Sequence, residues 1–249
     1  MININKHIFI AILIICIGLS NPNKTFAQKE NITRVLFIFD ASQSMYAQWE
    51  GNSRMEIAKE LLSNILDSLD NKENLQLGLR CYGHQKPSPP QDCRDTRLEV
   101  PFGNNNIPAI KNRLATLLPK GTTPIAKALE SGALDFPDVT SNSRNIVILI
   151  TDGIEECGGD PCAVSRLFQE KKIILKPFVI GIGLSEEYKI NFECVGTFYD
   201  AKNADEFKNI LDVVISQVLN STTAQVSLLD ENEMPTETNI PISFYDSFS

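Results

Sequence analysis

The sequence predicts an α/β protein: a doubly wound, mostly parallel sheet flanked by helices. Three observations carry that prediction. First, Val35-Leu36-Phe37-Ile38-Phe39, Ile146-Val147-Ile148-Leu149-Ile150 and Phe178-Val179-Ile180-Gly181-Ile182 are apolar throughout, the pattern of strands covered on both faces. Second, amphipathic helical segments with readable ends lie between them, and such βαβ alternation winds helices onto both faces through right-handed crossovers. Third, two of these strands lead into aspartate loops, at Asp40 and at Asp152. Ligands bind at the carboxyl ends of strands in sheets of this kind.

The chain has 249 residues, 43% of them hydrophobic and 22% charged, enough for one full domain with its own core and a short appendage. With 23 Lys+Arg against 31 Asp+Glu the formal net charge is −8. That balance argues against nucleic acid as a partner, because phosphate neutralisation needs clustered Lys and Arg.

Residues 1–27 read as a secretory signal. Lys6 starts it, an apolar run from Ile8 to Leu19 follows, and Thr25-Phe26-Ala27 offers a small-x-small cleavage site. The run falls short of the roughly 20 residues that span a bilayer, so no transmembrane span is expected once the signal is removed. Cleavage after Ala27 removes Lys6 and Lys24 but no acid, which takes the net charge to −10. It leaves one histidine, His84, and five cysteines. A histidine-rich metal site is thereby excluded, and any Ser-His-Asp triad rests on His84 alone.

The elements follow in order. After the strand at 35–39 and the loop Asp40-Ala41-Ser42-Gln43-Ser44, Ser53-x-x-Glu56 reads as a capping box. It opens a helix with Ile57, Leu61, Ile65 and Leu69 on one face. Leu75-Gln76-Leu77-Gly78-Leu79 alternates, as a strand nearer the sheet edge does. Ile110, Leu114 and Leu117 mark a second helix. Thr123-Pro124 opens a third, with Ala126, Leu129 and Ala133 behind it, and Asp160-Pro161 opens a fourth. Asn203-x-x-Glu206 caps a fifth, with Phe207, Ile210, Leu211, Val214 and Val218 on its apolar face. The stretch 224–249 has hairpin patterning: Val226 and Leu228 alternate, then Ile240, Ile242 and Phe244. It reads either as an addition to the main domain or as the start of a truncated immunoglobulin-like or carboxypeptidase-regulatory-like sandwich.

Three polar clusters are expected to converge on one edge of the sheet: Asp40, Ser42 and Ser44 after the first strand, Thr123 before the third helix, and Asp152 after the strand at 146–150. Every donor is oxygen. Such a set suits Mg²⁺, Mn²⁺ or Ca²⁺ rather than zinc or copper. Each cluster alone has an ordinary explanation, as a helix cap, a turn or a pair of loop hydroxyls. Together they point to a metal.

On these residues the chain resembles the von Willebrand factor type A (vWA) domain, a Rossmann-like fold, with its metal-ion-dependent adhesion site. The Asp-x-Ser-x-Ser motif is Asp40, Ser42 and Ser44. The family threonine matches Thr123, and Thr-Asp-Gly is Thr151-Asp152-Gly153. The resemblance covers roughly residues 31–220. With Trp49-Glu50-Gly51-x-x-Arg54, Tyr82-Gly83-His84 and Cys157-Gly158-Gly159-Asp160-Pro161-Cys162, it looks like a bacterial secreted subgroup. It implies that Ser42, Ser44 and Thr123 hold the ion directly, and that Asp40 and Asp152 do so directly or through water. It further implies a non-enzymatic module, secreted, periplasmic or on the cell surface, whose metal takes a carboxylate of a protein or envelope partner.

Other residues carry weaker readings. Cys157 and Cys162 flank four residues that include two glycines and are expected to pair. Cys81 and Cys93 pair with each other, or one of them pairs with Cys194. Trp49 either packs its loop against the first helix or forms a ligand-contacting rim with Tyr46. A Cys81–His84 catalytic pair lacks an orienting partner and an oxyanion element. Two other function classes compete with the binding module. A Mg²⁺-dependent phosphoryl hydrolase built on an aspartate nucleophile needs a second carboxylate two residues after Asp40, where Ser42 stands. A scaffold with a purely structural metal site needs no partner.

Overall fold

The computed structural model describes residues 32–137, 143–170, 178–182, 192, 195, 197–219 and 230–231. Residues 1–27, expected to be a signal, and nearly all of the β-patterned tail lie outside the described residues.

In chain order the elements are β1 (Ile32–Asp40), β2 (Gln48–Trp49), β3 (Asn52–Ser53), α1 (Arg54–Ser68), β4 (Leu75–Tyr82), β5 (Thr96–Gly103), α2 (Ile107–Thr116), α3 (Ile125–Asp135), β6 (Ser143–Thr151), α4 (Pro161–Glu170), β7 (Phe178–Ile182), β8 (Thr197–Ala201) and α5 (Ala204–Leu219). Six strands form one sheet in the order β5-β4-β1-β6-β7-β8. All neighbours are parallel except β4 and β5. β1 lies between β4 and β6, so Asp40 ends a central strand.

The apolar runs at 35–39 and 146–150 serve both faces, as their continuous pattern requires. Val35, Phe37, Phe39, Ile146, Ile148 and Ile150 pack with Leu62 of α1, Ile110 of α2 and Leu211 of α5. Leu36, Ile38, Val147 and Leu149 pack with Ile125 and Leu129 of α3 and Phe168 of α4 on the other side. Each fully buried side chain of this size contributes about 1.5–3 kcal/mol, so the central strands are firmly held.

The caps follow the sequence closely. Ser53 accepts the Glu56 N–H at 3.1 Å, and Asn203 Oδ1 accepts the Glu206 N–H at 2.8 Å. Asp160 Oδ1 accepts the Cys162 N–H at 2.8 Å at the start of α4. Helix α3 begins one residue later than Pro124 suggests, at Ile125. Its first-turn donor Ala126 N–H goes to Glu155 Oε2 at 2.7 Å, not to Thr123. β5 and β8 carry no strong sequence signal. β5 has intermediate burial and a proline at Pro101, both tolerated because it is an antiparallel edge strand.

The short β2–β3 hairpin carries Trp49. Its indole N–H donates to Lys202 O at 3.2 Å, and Glu50 Oε2 accepts the Ala204 N–H at 2.8 Å. Trp49 thus ties its loop to the entry of α5, while its ring packs against the core cluster to which Met55 and Ala58 of α1 belong. Tyr46 is 55% exposed.

Candidate metal centre

At the carboxyl end of β1 the backbone turns around its own aspartate. The Ser42 N–H donates to Asp40 Oδ1 at 2.7 Å, a local side-chain-to-backbone bond of the kind Asp makes at turns. The chain then enters a short 3₁₀ turn, Gln43–Tyr46, pinned by the fully buried Met45. This brings Ser42 and Ser44 to one side, their Oγ atoms 2.9 Å apart. Ser44 Oγ donates to Asp152 Oδ1 at 2.7 Å. The first and third sequence clusters therefore meet, although 108 residues separate Ser44 from Asp152.

Thr123 arrives from a third direction. Gly121 pairs with Ser42 in an isolated bridge, and the Gln43 N–H donates to Gly121 O at 2.8 Å. The Thr123 N–H donates to Glu156 Oε2 at 3.0 Å, and the Glu156 N–H returns to Thr123 O at 3.1 Å. Thr123 and Ser44 border the same space: a Cβ at Gly153 would lie 3.7 Å from Ser44 Oγ and 3.8 Å from Thr123 Oγ1. All five sequence-predicted residues are thus gathered at one edge of the sheet. Ser44 is exposed there, while Asp40, Ser42, Thr123 and Asp152 are buried.

Beneath the aspartate lies a closed triangle of oxygens. The Tyr82 and Thr151 hydroxyls donate to Asp40 Oδ2 at 2.9 and 2.7 Å, and lie 3.0 Å from each other. Burial, and then the charge of Asp40, push the Tyr82 phenol well above its ordinary range, so it remains a donor. Burial, and then the charge of Asp152, push the Asp40 carboxyl up to about 7 against the hydrogen bonds of Ser42 and Thr151. A positive charge lies beside the second of these carboxylates: Arg54 Nη1 is 2.8 Å from Asp152 Oδ2.

Close approach at this edge depends on Gly83. It has φ +68, and a Cβ there would lie 2.6 Å from Thr122 O and 2.7 Å from Ser42 Cα. Without a side chain, the end of β4 presses against the loops that carry Ser42 and Thr123.

The residues fit a divalent cation. Oxygens that neighbour each other around an octahedral ion with bonds of about 2.0–2.1 Å lie about 2.8–3.0 Å apart. The Ser42–Ser44 and Ser44–Asp152 contacts, 2.9 and 2.7 Å, are close to that spacing. Among the described residues, no group of three or more His, Cys, Asp or Glu side chains could hold a metal. The candidate centre is built instead from two carboxylates and neutral hydroxyls.

The cysteine pairing differs from expectation. Cys157 is bonded to Cys93, not to Cys162. Cys81 is a buried free thiol, so neither Cys81 nor Cys162 is the partner of Cys93 or Cys157. Cys162 is also disulfide-bonded, and the expectation for Cys194 lies outside the described residues. The local spacing misled because Cys162 is already in the first turn of α4, while the 83–95 loop crosses the rim. There the Gln91 side chain donates to Glu156 O at 2.7 Å and the Asp92 N–H to Thr122 Oγ1 at 3.2 Å, which carries Cys93 to Cys157. His84 is a buried structural residue, its Nε2 2.6 Å from Glu99 Oε1.

Comparison with known proteins decides the family. The von Willebrand factor type A domain matches residues 35–213. The chain belongs to the vWA family. This vWA domain is 30% identical over 206 residues to the Bacillus subtilis (strain 168) protein YwmD, a match spanning 78% of the chain and 90% of YwmD. Its fold is similar to that of the pilus adhesin SpaC from Lactobacillus rhamnosus GG, with TM-score 0.63 and 16% identity over 77% of the chain and 31% of SpaC. It is also similar to proximal thread matrix protein 1 from the mussel byssus, solved with a zinc-occupied MIDAS motif, with TM-score 0.56 and 19% identity over 76% of the chain and 46% of that protein. The vWA domain thus spans about a third of SpaC.

Sequence reasoning passed over four residues that shape this site. Glu155 and Glu156 hold the entry to α3 and the Thr123 backbone, and the acidic pair just after Gly153 was the available signal. Tyr82 and Arg54 stood only within motifs quoted for resemblance. Their contacts with Asp40 and Asp152 cross from other elements and leave no spacing to read.

Proposed function

We propose that this vWA domain is an exported, non-enzymatic, divalent-cation-dependent binding module. Ser42, Ser44 and Thr123 hold the ion directly, and Asp40 and Asp152 do so directly or through water. When bound, the ion supplies concentrated positive charge for a carboxylate presented by a protein or envelope partner. The protein's own residues do the rest. Tyr82 and Thr151 fix the Asp40 carboxylate, the Asp40–Ser42 bond shapes the loop, and exposed Ser44 keeps the centre open to solvent. The rim residues, Tyr46 among them, then select the partner.

One observation carries this reading: the Ser42, Ser44 and Asp152 oxygens of two chain-distant loops meet at hydrogen-bond distance at the end of the central strand, and Thr123 Oγ1 of a third loop borders the same space. The pilus adhesin and byssal matrix protein among the fold's neighbours support an interaction role, and the Cys93–Cys157 disulfide supports an oxidising compartment. An intact adhesion-type metal site in a bacterial secreted subgroup is part of the same proposal. Mg²⁺ is the first ion to test, with Mn²⁺ and Ca²⁺ beside it. Zn²⁺ belongs in the panel because a neighbour holds it.

The test is capture of envelope components by the immobilised domain in each ion and in EDTA, with Asp40→Ala as control. Capture that needs the ion and Asp40 supports the reading. Equal capture in EDTA overturns it, and Asp40-dependent turnover of a phosphate ester overturns the non-enzymatic assignment.

A further inference from the structure

Arg54 opens α1, and its guanidinium reaches across to the loop after β6. Its Nη1 is 2.8 Å from Asp152 Oδ2, with the Asp152 side chain fully buried and that of Arg54 23% exposed. The other Asp152 oxygen, Oδ1, accepts from Ser44 Oγ. Asp152 is therefore shared: one oxygen faces the hydroxyls of the candidate centre and the other faces a fixed positive charge. Arg54 Nε is buried and makes no hydrogen bond. Among the described residues, the contact that its side chain secures is the charged one. Without a counter-charge, Asp40 and Asp152 would be two buried carboxylates repelling each other.

We propose that Arg54 is a built-in stand-in for the divalent cation. It neutralises Asp152 while the centre is metal-free and, because its charge remains beside the ion's own ligand, it weakens metal binding. The proposal rests on the reading of this centre as a divalent-cation site and adds a tuning residue to it. The centre then loads only when the ion is plentiful, and the empty domain stays folded in the meantime. Arg54 acts through Asp152, so it is a positioning and charge-setting residue rather than a metal ligand. Even at the dielectric of bulk water, a unit positive charge this near a divalent ion weakens binding about tenfold.

The experiment titrates Mn²⁺ calorimetrically into EDTA-stripped wild type, Arg54→Gln and Arg54→Lys at low ionic strength, and records each melting temperature in EDTA. Glutamine keeps a donor without the charge; lysine keeps the charge. Arg54→Gln is expected to bind Mn²⁺ at least about tenfold more tightly than wild type and to melt lower in EDTA. Arg54→Lys is expected to stay within about threefold of wild-type affinity. A folded Arg54→Gln with affinity equal to or below wild type overturns the proposal. So does a lower melting temperature with unchanged affinity, which is the signature of a merely structural ion pair. Mn²⁺ binding by Arg54→Gln where wild type shows none supports it in its strongest form. No binding by either protein overturns the reading of the centre as a metal site, and this proposal with it.

Discussion

Replacing Tyr82 with phenylalanine removes one oxygen from beneath the metal loop and leaves the ring's packing in place. Tyr82 is fully buried, and its hydroxyl donates to Asp40 Oδ2 at 2.9 Å. A hydrogen bond to a charged group contributes about 1.5–3 kcal/mol. Asp40 retains Thr151 on the same oxygen and the Ser42 N–H on the other, at 2.7 Å each. The loss therefore falls toward the lower end, about 1.5–2 kcal/mol. For a domain of this size each kcal/mol moves the melting temperature by about 2–4 °C, so Tyr82→Phe should melt about 3–8 °C below wild type. The assay is scanning calorimetry at pH 8, in EDTA and with Mn²⁺. At that pH the Asp40 carboxyl, raised to about 7, is ionised and needs its donors most. Mn²⁺ affinity should fall alongside, because Asp40 Oδ2 then keeps only one of the two hydroxyls that fix it. An unchanged melting temperature together with unchanged Mn²⁺ affinity would refute the claim that this oxygen triangle positions the aspartate.

Further outcomes follow from other contacts. Gly83→Ala places a Cβ against the backbone of Ser42 and Thr122, where nothing flexible can yield. It should cost at least about 1–3 kcal/mol and abolish Mn²⁺ binding; a variant with wild-type stability and affinity would remove Gly83 from the account. The Cys93–Cys157 bond links residues 64 apart in sequence, and loop-closure entropy puts its contribution at about 4 kcal/mol. The Cys93→Ala/Cys157→Ala double variant should show that loss in urea unfolding, and an unchanged midpoint would contradict it. Burial alone would raise the Glu99 carboxyl, but hydrogen bonds from Arg97, Arg113 and His84 prevail and hold it at about 2. Because its folded value lies below the ordinary 4.5, its stabilisation is complete above about pH 4.5 and fades as pH falls toward 2. The urea-midpoint difference between wild type and Glu99→Gln should therefore be full at pH 6 and shrink toward pH 2.5; a constant difference would contradict this.

Much of the fold and of the candidate site was legible in the sequence, for reasons that separate the successes from the failures. Strands covered on both faces need continuous apolar runs through their centres, so β1 and β6 announced themselves. Caps are local, so Ser53, Asp160 and Asn203 could be read from a few neighbours. Asp40, Ser42 and Ser44 lie within one short loop, and their link to Asp152 followed from the rule that central strand ends adjoin. β5 and β8 were missed because edge strands need neither continuous apolar runs nor strict alternation. The Cys93–Cys157 bond was missed because a spacing of five residues looked sufficient, while the true partner arrives on a loop placed by tertiary contacts. Arg54 and Tyr82 were missed as site residues for the same reason: what matters is the carboxylate each meets from a distant element.

The central claim, a divalent-cation site made of two carboxylates and three hydroxyls, is tested most directly by calorimetric titration of Mn²⁺ into EDTA-stripped protein, with a Ser42→Ala/Ser44→Ala variant in parallel. The account predicts one ion per chain for wild type and none for the variant, with both proteins folded in EDTA. No heat of binding in either wild type or Arg54→Gln, or equal binding by the Ser42→Ala/Ser44→Ala variant, would contradict it.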